Sequence, residues 1–265
     1  MKADFHVHTS FSGDSDYSPE SMIQAAIKYG LDTICITDHQ DEEFTEPGFE
    51  IDFPNYFPTL KALQEKYREQ IDIRIGMEYG LQPQLGQSCH ELVRKYPFDF
   101  VIGSRHLLDG QDMYYRKCFD YMTDEEAYRK AFEEILDDIQ YVTDFDVLGH
   151  FDYIVRYGKS QHKEYSCAKY AELIDAILKH LISNGKGLEI NTAGWKYGLP
   201  FAHPHTDVLK RYHELGGEIL TIGSDAHKPE HVAYDFHRVS EVLKACGFKY
   251  YTEFKQRKPI FRQLP

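Results

Sequence analysis

Seven short apolar runs, each separated from the next by a stretch of helical periodicity, restrict the fold of this chain more than any other feature. They fall at roughly 3–8, 32–37, 71–77, 99–103, 145–149, 187–191 and 218–223, and each is rich in β-branched or aromatic residues. Runs of this kind, apolar without alternation, suit strands buried on both faces, and strict alternation of strand with helix gives a parallel sheet. The intervening helices carry their own punctuation. Ser18-Pro19-Glu20 opens the first and Gly30 closes it, while Thr123-Asp124-Glu125-Glu126 reads as a capping box. Behind that box Tyr128, Phe132, Ile135, Ile139 and Val142 recur at three- and four-residue spacing, one buried stripe. Asn184-Gly185 and Gly216-Gly217 stop two later helices. Seven such units predict an α/β, TIM-like (β/α)7 barrel. No Gly/Ser- or Pro-rich linker and no repeat divides the chain, so residues 1–265 are expected to form one domain.

Chemistry gathers where the runs end. His6 and His8 lie in DFHVH, Asp14 in FSGD, His39 in ICITDH and Glu78 in IRIGMEYG. His106 ends FVIGSRH, His150 ends FDVLGH, and Asp225 and His227 end ILTIGSDAH. In a parallel barrel the C-terminal ends of the strands share one face, so these side chains are expected to meet there. Alternate residues of a strand share a side, which pairs His6 with His8, and Asp225 and His227 repeat that spacing at the other end of the chain. Closure makes the first and last strands neighbours.

Each residue has an ordinary reading by itself: a core or surface histidine, a rim carboxylate for Glu78. Their joint placement favours a metal site. Nine ligands are too many for one ion, and no cysteine joins them as a closed structural site would require. Nitrogen and carboxylate donors suit two to three divalent ions of Zn, Mn or Fe, with Glu78 placed to bridge. Asp38 is expected either to support His39 or to be a buried structural acid. The other histidines fall on predicted helices or loops and are read as structural or solvated.

Composition narrows the partners. A formal charge of −13 argues against a broad basic face for nucleic acid. It would also repel an anionic substrate, unless divalent ions set against the carboxylates of Asp14, Glu78 and Asp225 make the loaded site net positive. Five scattered cysteines without a CxxC predict no disulfides and a reducing, cytoplasmic setting. No apolar run reaches membrane-spanning length, and a ligand at residue 6 leaves no room for a cleavable leader. Two long segments, acidic and Phe-rich 40–57 and Tyr-rich 107–122 with Arg116 and Lys117, follow ligand-bearing strand ends and are expected to overhang the site.

The order HxH, SGD, TDH, GME, SRH, GH and SDAH resembles that of the polymerase-and-histidinol-phosphatase (PHP) superfamily of metal-dependent phosphoesterases, from Ala3 to about His227. HTSFSGD at 8–14, LDG at 108–110, GHFDYIVRYG at 149–158 and EINTAG at 189–194 are similar to its histidinol-phosphatase branch. The resemblance implies a distorted seven-stranded barrel in which His6, His8, Glu78 and Asp225 hold one ion. Glu78 would bridge to a second held by His106 and His150, and Asp14, His39 and His227 would hold a third. Glu78, Asp225 and His227 are then the expected catalytic residues, and Arg156 a phosphate contact. The chain departs from the family after NTAG, where Trp195-Lys196 stands in place of Leu-Arg. Lys196 keeps the charge without the planar fork of arginine, and Arg105 is a further basic candidate for phosphate.

The implied activity is hydrolysis of a small phosphate monoester, L-histidinol phosphate to L-histidinol and phosphate, a step of histidine biosynthesis. The alternatives are a PHP-type enzyme acting on a nucleotide or phosphoprotein, an amidohydrolase-type metal hydrolase, and a metal-storage protein without turnover. The expected partner is a small phosphate ester, with neither nucleic acid nor membrane, and oligomeric state is left open.

Overall fold

The structure, a computed structural model, describes residues 1–265. Seven parallel strands form its centre: β1 (Ala3–Val7), β2 (Thr33–Ile36), β3 (Asp72–Gly80), β4 (Phe100–Ser104), β5 (Val147–Leu148), β6 (Gly187–Asn191) and β7 (Leu220–Gly223). They pair in chain order, and the short strand His39–Gln40 adds to β3 beside Glu78 and Tyr79. Closure rests on one parallel bridge between Val7 and Ala226, with the His8 N–H donating to the Ala226 carbonyl at 2.9 Å. The result is a nearly closed, distorted (β/α)7 barrel. Every residue of these seven strands except Asp72 is buried, which is why the runs lack polar alternation.

Helices α1 (Pro19–Lys28), α2 (Phe53–Tyr67), α3 (Gly86–Lys95), α4 (Asp124–Tyr141), α5 (Ala171–Ser183), α6 (Ala193–Lys196), α7 (Thr206–Glu214) and α8 (Phe236–Ala245) complete the layer outside the sheet. Ser18 caps α1 by accepting from Ser21 N, and Thr123 and Glu126 form the reciprocal capping box of α4. The stripe Tyr128, Phe132, Ile135 and Ile139 is buried against the barrel. One apolar cluster runs from Ala3 to Leu264. All five cysteines are free thiols, and no helix is long and apolar enough to cross a membrane.

Two elements differ from expectation. The segment read as a loop over 40–57 becomes helical at Phe53, because Pro54 sits in the first turn of α2 where its missing N–H costs nothing. Pro58 lies inside the helix, where it lacks the N–H that would have donated to the carbonyl of Pro54. The chain also ends in an antiparallel hairpin, β8 (Tyr250–Lys255) and β9 (Lys258–Gln263), which the strand reading omitted. Its turn residues Gln256 and Arg257 both have positive φ, a conformation ordinarily signalled by Gly or Asn. The hairpin touches the strand starts: Thr252 Oγ1 accepts from Leu220 N, and Arg257 pairs with Asp146 just before β5. It therefore covers the end of the barrel opposite the strand C-termini.

Candidate metal centre

At the C-terminal strand ends Glu78 occupies the middle of a ring of imidazoles. Its Oε2 lies 3.2 Å from His6 Nε2, 3.4 Å from His8 Nε2 and 3.1 Å from His39 Nδ1. Its Oε1 lies 2.9 Å from His150 Nε2 and 3.3 Å from His106 Nε2. One carboxylate thus divides its oxygens between two groups of histidines. Asp225 Oδ1 stands 3.6 Å from His8 Nε2 and 3.4 Å from His227 Nδ1, while Asp14 Oδ2 stands 3.0 Å from His227 Nε2 and 3.7 Å from His39 Nε2. All nine residues selected from the sequence therefore come together. Glu78 is 1% exposed and the Asp14 side chain 41%, so the cluster opens to solvent on the Asp14 side.

The electrostatics follow from this crowding. Burial opposes ionisation of Glu78, yet the imidazoles of His6, His106 and His39 outweigh it and hold the carboxyl well below the ordinary carboxylate range. Burial, reinforced by His227 and His39, holds His8 well below its usual value and so neutral, the form that binds a metal. The buried Nε2 atoms of His6 and His8 and Nδ1 of His39 have no hydrogen-bond partner. Orphaned polar atoms at this depth cost free energy unless something pairs with them. Four sets of three donors here lie within 4.8 Å of one another, including His6–His8–Asp225, His6–Glu78–His150 and His8–His39–His227. Nitrogen and carboxylate oxygen without thiolate fit borderline divalent ions, so the residues present suit the group expected.

Other residues fix the imidazoles in place. His6 Nδ1 donates to Glu189 at 2.7 Å, and His106 Nδ1 donates to Asp41 at 2.7 Å, which turns each Nε2 toward Glu78. Glycines make the room: a Cβ on Gly223 would collide with Glu189 and His6, and one on Gly80 with Asp41. Sequence reasoning gave Glu189 and Asp41 no such role. Glu189 carried the same signal as Glu78, an acid in a buried apolar strand, whereas Asp41 was hidden among acidic loop neighbours. Asp38 is the buried structural acid, taking hydrogen bonds from Thr9 N, Thr9 Oγ1 and Ser12 Oγ.

A cavity of about 410 Å³ lies over the cluster. Both long segments overhang it, through Phe44, Glu46 and Phe49 on one side and Asp112, Tyr114 and Tyr115 on the other, and the Tyr115 hydroxyl donates to Glu46 across the mouth. Arg156 enters from the turn Tyr153–Arg156 beyond β5. Its guanidinium carbon lies 4.5, 4.7 and 4.1 Å from the rings of Tyr153, Tyr157 and Tyr197. Nη2 is used on the two tyrosine hydroxyls of 153 and 157, while Nη1 is left without a partner.

The other two basic candidates are placed differently. Arg105 does not line this cavity; it pairs with Asp138 at 2.6 Å and with Glu134, both on α4. Successive residues leaving a strand face opposite ways, so while His106 joins the cluster Arg105 turns outward to the helix layer. Lys196 is also absent from the cavity lining and lies on backbone carbonyls instead. Arg105 is therefore corrected from a phosphate contact to a structural ion pair. Replacing it with Met is expected to destabilise the fold by about 3 kcal/mol, measured by denaturant unfolding. Burial pushes the Asp138 carboxyl up to about 7 despite Arg105, so proton uptake moderates the loss. An unchanged midpoint in that variant would remove the structural assignment.

The profile of the PHP domain family matches residues 4–193. The chain is 33% identical to the histidinol-phosphatase of Lactococcus lactis, over 93% of this chain and 92% of that one. It is 32% identical to a protein of Clostridium acetobutylicum named as a probable histidinol-phosphatase, over 94% and 95%. Its backbone is similar to the crystal structure of the Lactococcus lactis histidinol phosphate phosphatase complexed with zinc, L-histidinol and phosphate, with a TM-score of 0.89, 32% identity and 98% of each chain covered. The strand-end cluster, the barrel that builds it and these matches agree that the chain belongs to the PHP domain family, on its histidinol-phosphatase branch.

Proposed function

We propose that this protein hydrolyses L-histidinol phosphate to L-histidinol and phosphate, using two to three divalent ions held by the nine strand-end residues. The observation that carries the reading is one cavity with two complementary walls. Its floor is Glu78, shared between two histidine groups, and its side is Arg156 with a free Nη1. The zinc, L-histidinol and phosphate of the related Lactococcus lactis structure support the same assignment.

His6, His8, Glu78 and Asp225 would hold one ion, Glu78 with His106 and His150 a second, and Asp14, His39 and His227 a third. When bound, the ions supply positive charge to the phosphoryl oxygens and lower the pKa of a water at the site. The chain's own residues do the rest. Arg156, confined by three tyrosine rings, presents N–H donors to the phosphoryl group without further loss of side-chain freedom. Glu189 and Asp41 keep His6 and His106 in one tautomer and one orientation. Phe44 and Phe49 exclude water from one side of the cavity, and Glu46 and Asp112 offer counter-charge to the substrate ammonium at its mouth.

The test is phosphate release from a panel of small monoesters by protein purified without chelator. L-Histidinol phosphate is expected to give the highest kcat/KM, with two to three ions of zinc, manganese or iron per chain. Chelation is expected to stop release while the far-UV circular dichroism is retained, since the core is large enough to stand without metal. Preference for a nucleotide or a phosphotyrosine peptide would move the assignment to another substrate, and metal uptake without turnover of any ester would sink it.

A further inference from the structure

Lys196 ends α6, just beyond β6, where an arginine would be expected to meet phosphate. Its Nζ donates instead to the Asp225 carbonyl at 2.7 Å and reaches the Ser224 carbonyl at 3.4 Å. The residue before it anchors the helix: Trp195 is buried, with the Arg238 guanidinium of α8 stacked 4.1 Å from its ring. Lys196 is thus delivered to one spot by a fixed helix, and that spot is the turn leaving β7.

The turn needs holding. Asp225 has φ +53, in the left-handed region that disfavours a residue bearing a Cβ. Its neighbours are tied down on either side. Ser224 N donates to Asp4 Oδ1 at 3.0 Å, and Ala226 makes the bridge to Val7 that closes the barrel. Between them the Asp225 carbonyl is met by Lys196 Nζ and, at 3.2 Å, by His227 Nδ1. A compact ammonium suits two successive carbonyls, whereas a planar fork suits the paired oxygens of a carboxylate or phosphate.

We infer that Lys196 is a positioning residue: it holds the left-handed turn that presents the Asp225 and His227 side chains to the cluster, and it does not bind phosphate. The inference rests on the reading of Asp225 and His227 as metal ligands.

Lys196→Met separates the two roles. Metal affinity, read by competition with a chromogenic chelator, is expected to weaken about tenfold or more, the scale of losing a group that orients a ligand. kcat should fall with it, while inhibition by inorganic phosphate at saturating metal stays at the parental Ki. Lys196→Arg is expected to recover part of the metal affinity without tightening phosphate. Parental metal affinity in the Met variant overturns the inference, and so does a raised phosphate Ki with metal affinity unchanged. If the Met variant does not fold, Lys196→Gln, which keeps an N–H donor and much of the stem, carries the same comparison. Because metal affinity is read without substrate, failure of L-histidinol phosphate as the substrate would leave this result standing.

Discussion

Glu78→Gln is expected to lower turnover by about two to three orders of magnitude, with loss of at least one ion per chain. The amide keeps the volume of the carboxylate but has one oxygen, so one of the two histidine groups around residue 78 would face an NH2 that cannot bind a cation. Which group loses its ligand is a matter of amide orientation; neither choice preserves a bridge. Backbone pairing is untouched, since the Glu78 N–H donates to the Asp38 carbonyl at 3.0 Å whatever the side chain. Circular dichroism should therefore match the parent while elemental analysis and phosphate release do not. Parental turnover at full metal content in this variant would show that the central carboxylate merely fills space.

Arg156→Ala is expected to reduce kcat/KM for L-histidinol phosphate by about a hundredfold, the effect of removing one preorganised donor. Metal content should not change, because Arg156 touches no proposed ligand. The three tyrosine rings around the guanidinium explain why the cost is large: they have already removed the rotamer freedom that binding would otherwise have to overcome. Arg156→Lys should restore only part of the activity, because an ammonium can neither fill the cage nor present the planar fork that matches two phosphoryl oxygens. If the Ala variant hydrolyses the substrate at the parental rate, phosphate is held by the metal side of the cavity alone.

Much of this molecule can be read from residue order, and the reason is geometric. Parallel strands buried on both faces must be apolar throughout, so an acid or histidine at the end of such a run stands out, and barrel topology brings those ends together. His6, Glu78 and Asp225 were visible on that ground. What escaped depended on direction and not on residue type. Arg105 neighbours His106 in sequence but faces α4, and Lys196 reaches a carbonyl where its charge suggested an anion. Local cues misled in the same way at two places. Pro54 and Pro58 masked the start of α2, and Gln256-Arg257 turn a hairpin without the glycine that usually marks one.

On the proposed ligand set, the seam between β1 and β7 sets when in its folding the chain can acquire metal. His6 and His8 are separated from Asp225 and His227 by most of the chain, and the two pairs meet only once Ala226 has paired with Val7. Contacts between such distant parts of a chain form late, after the loop between them has been closed. A nascent or truncated chain that stops short of β7 still offers exposed histidines to stray cations, but only in incomplete sets. On the proposed ligand set, full loading therefore reports completion of the barrel.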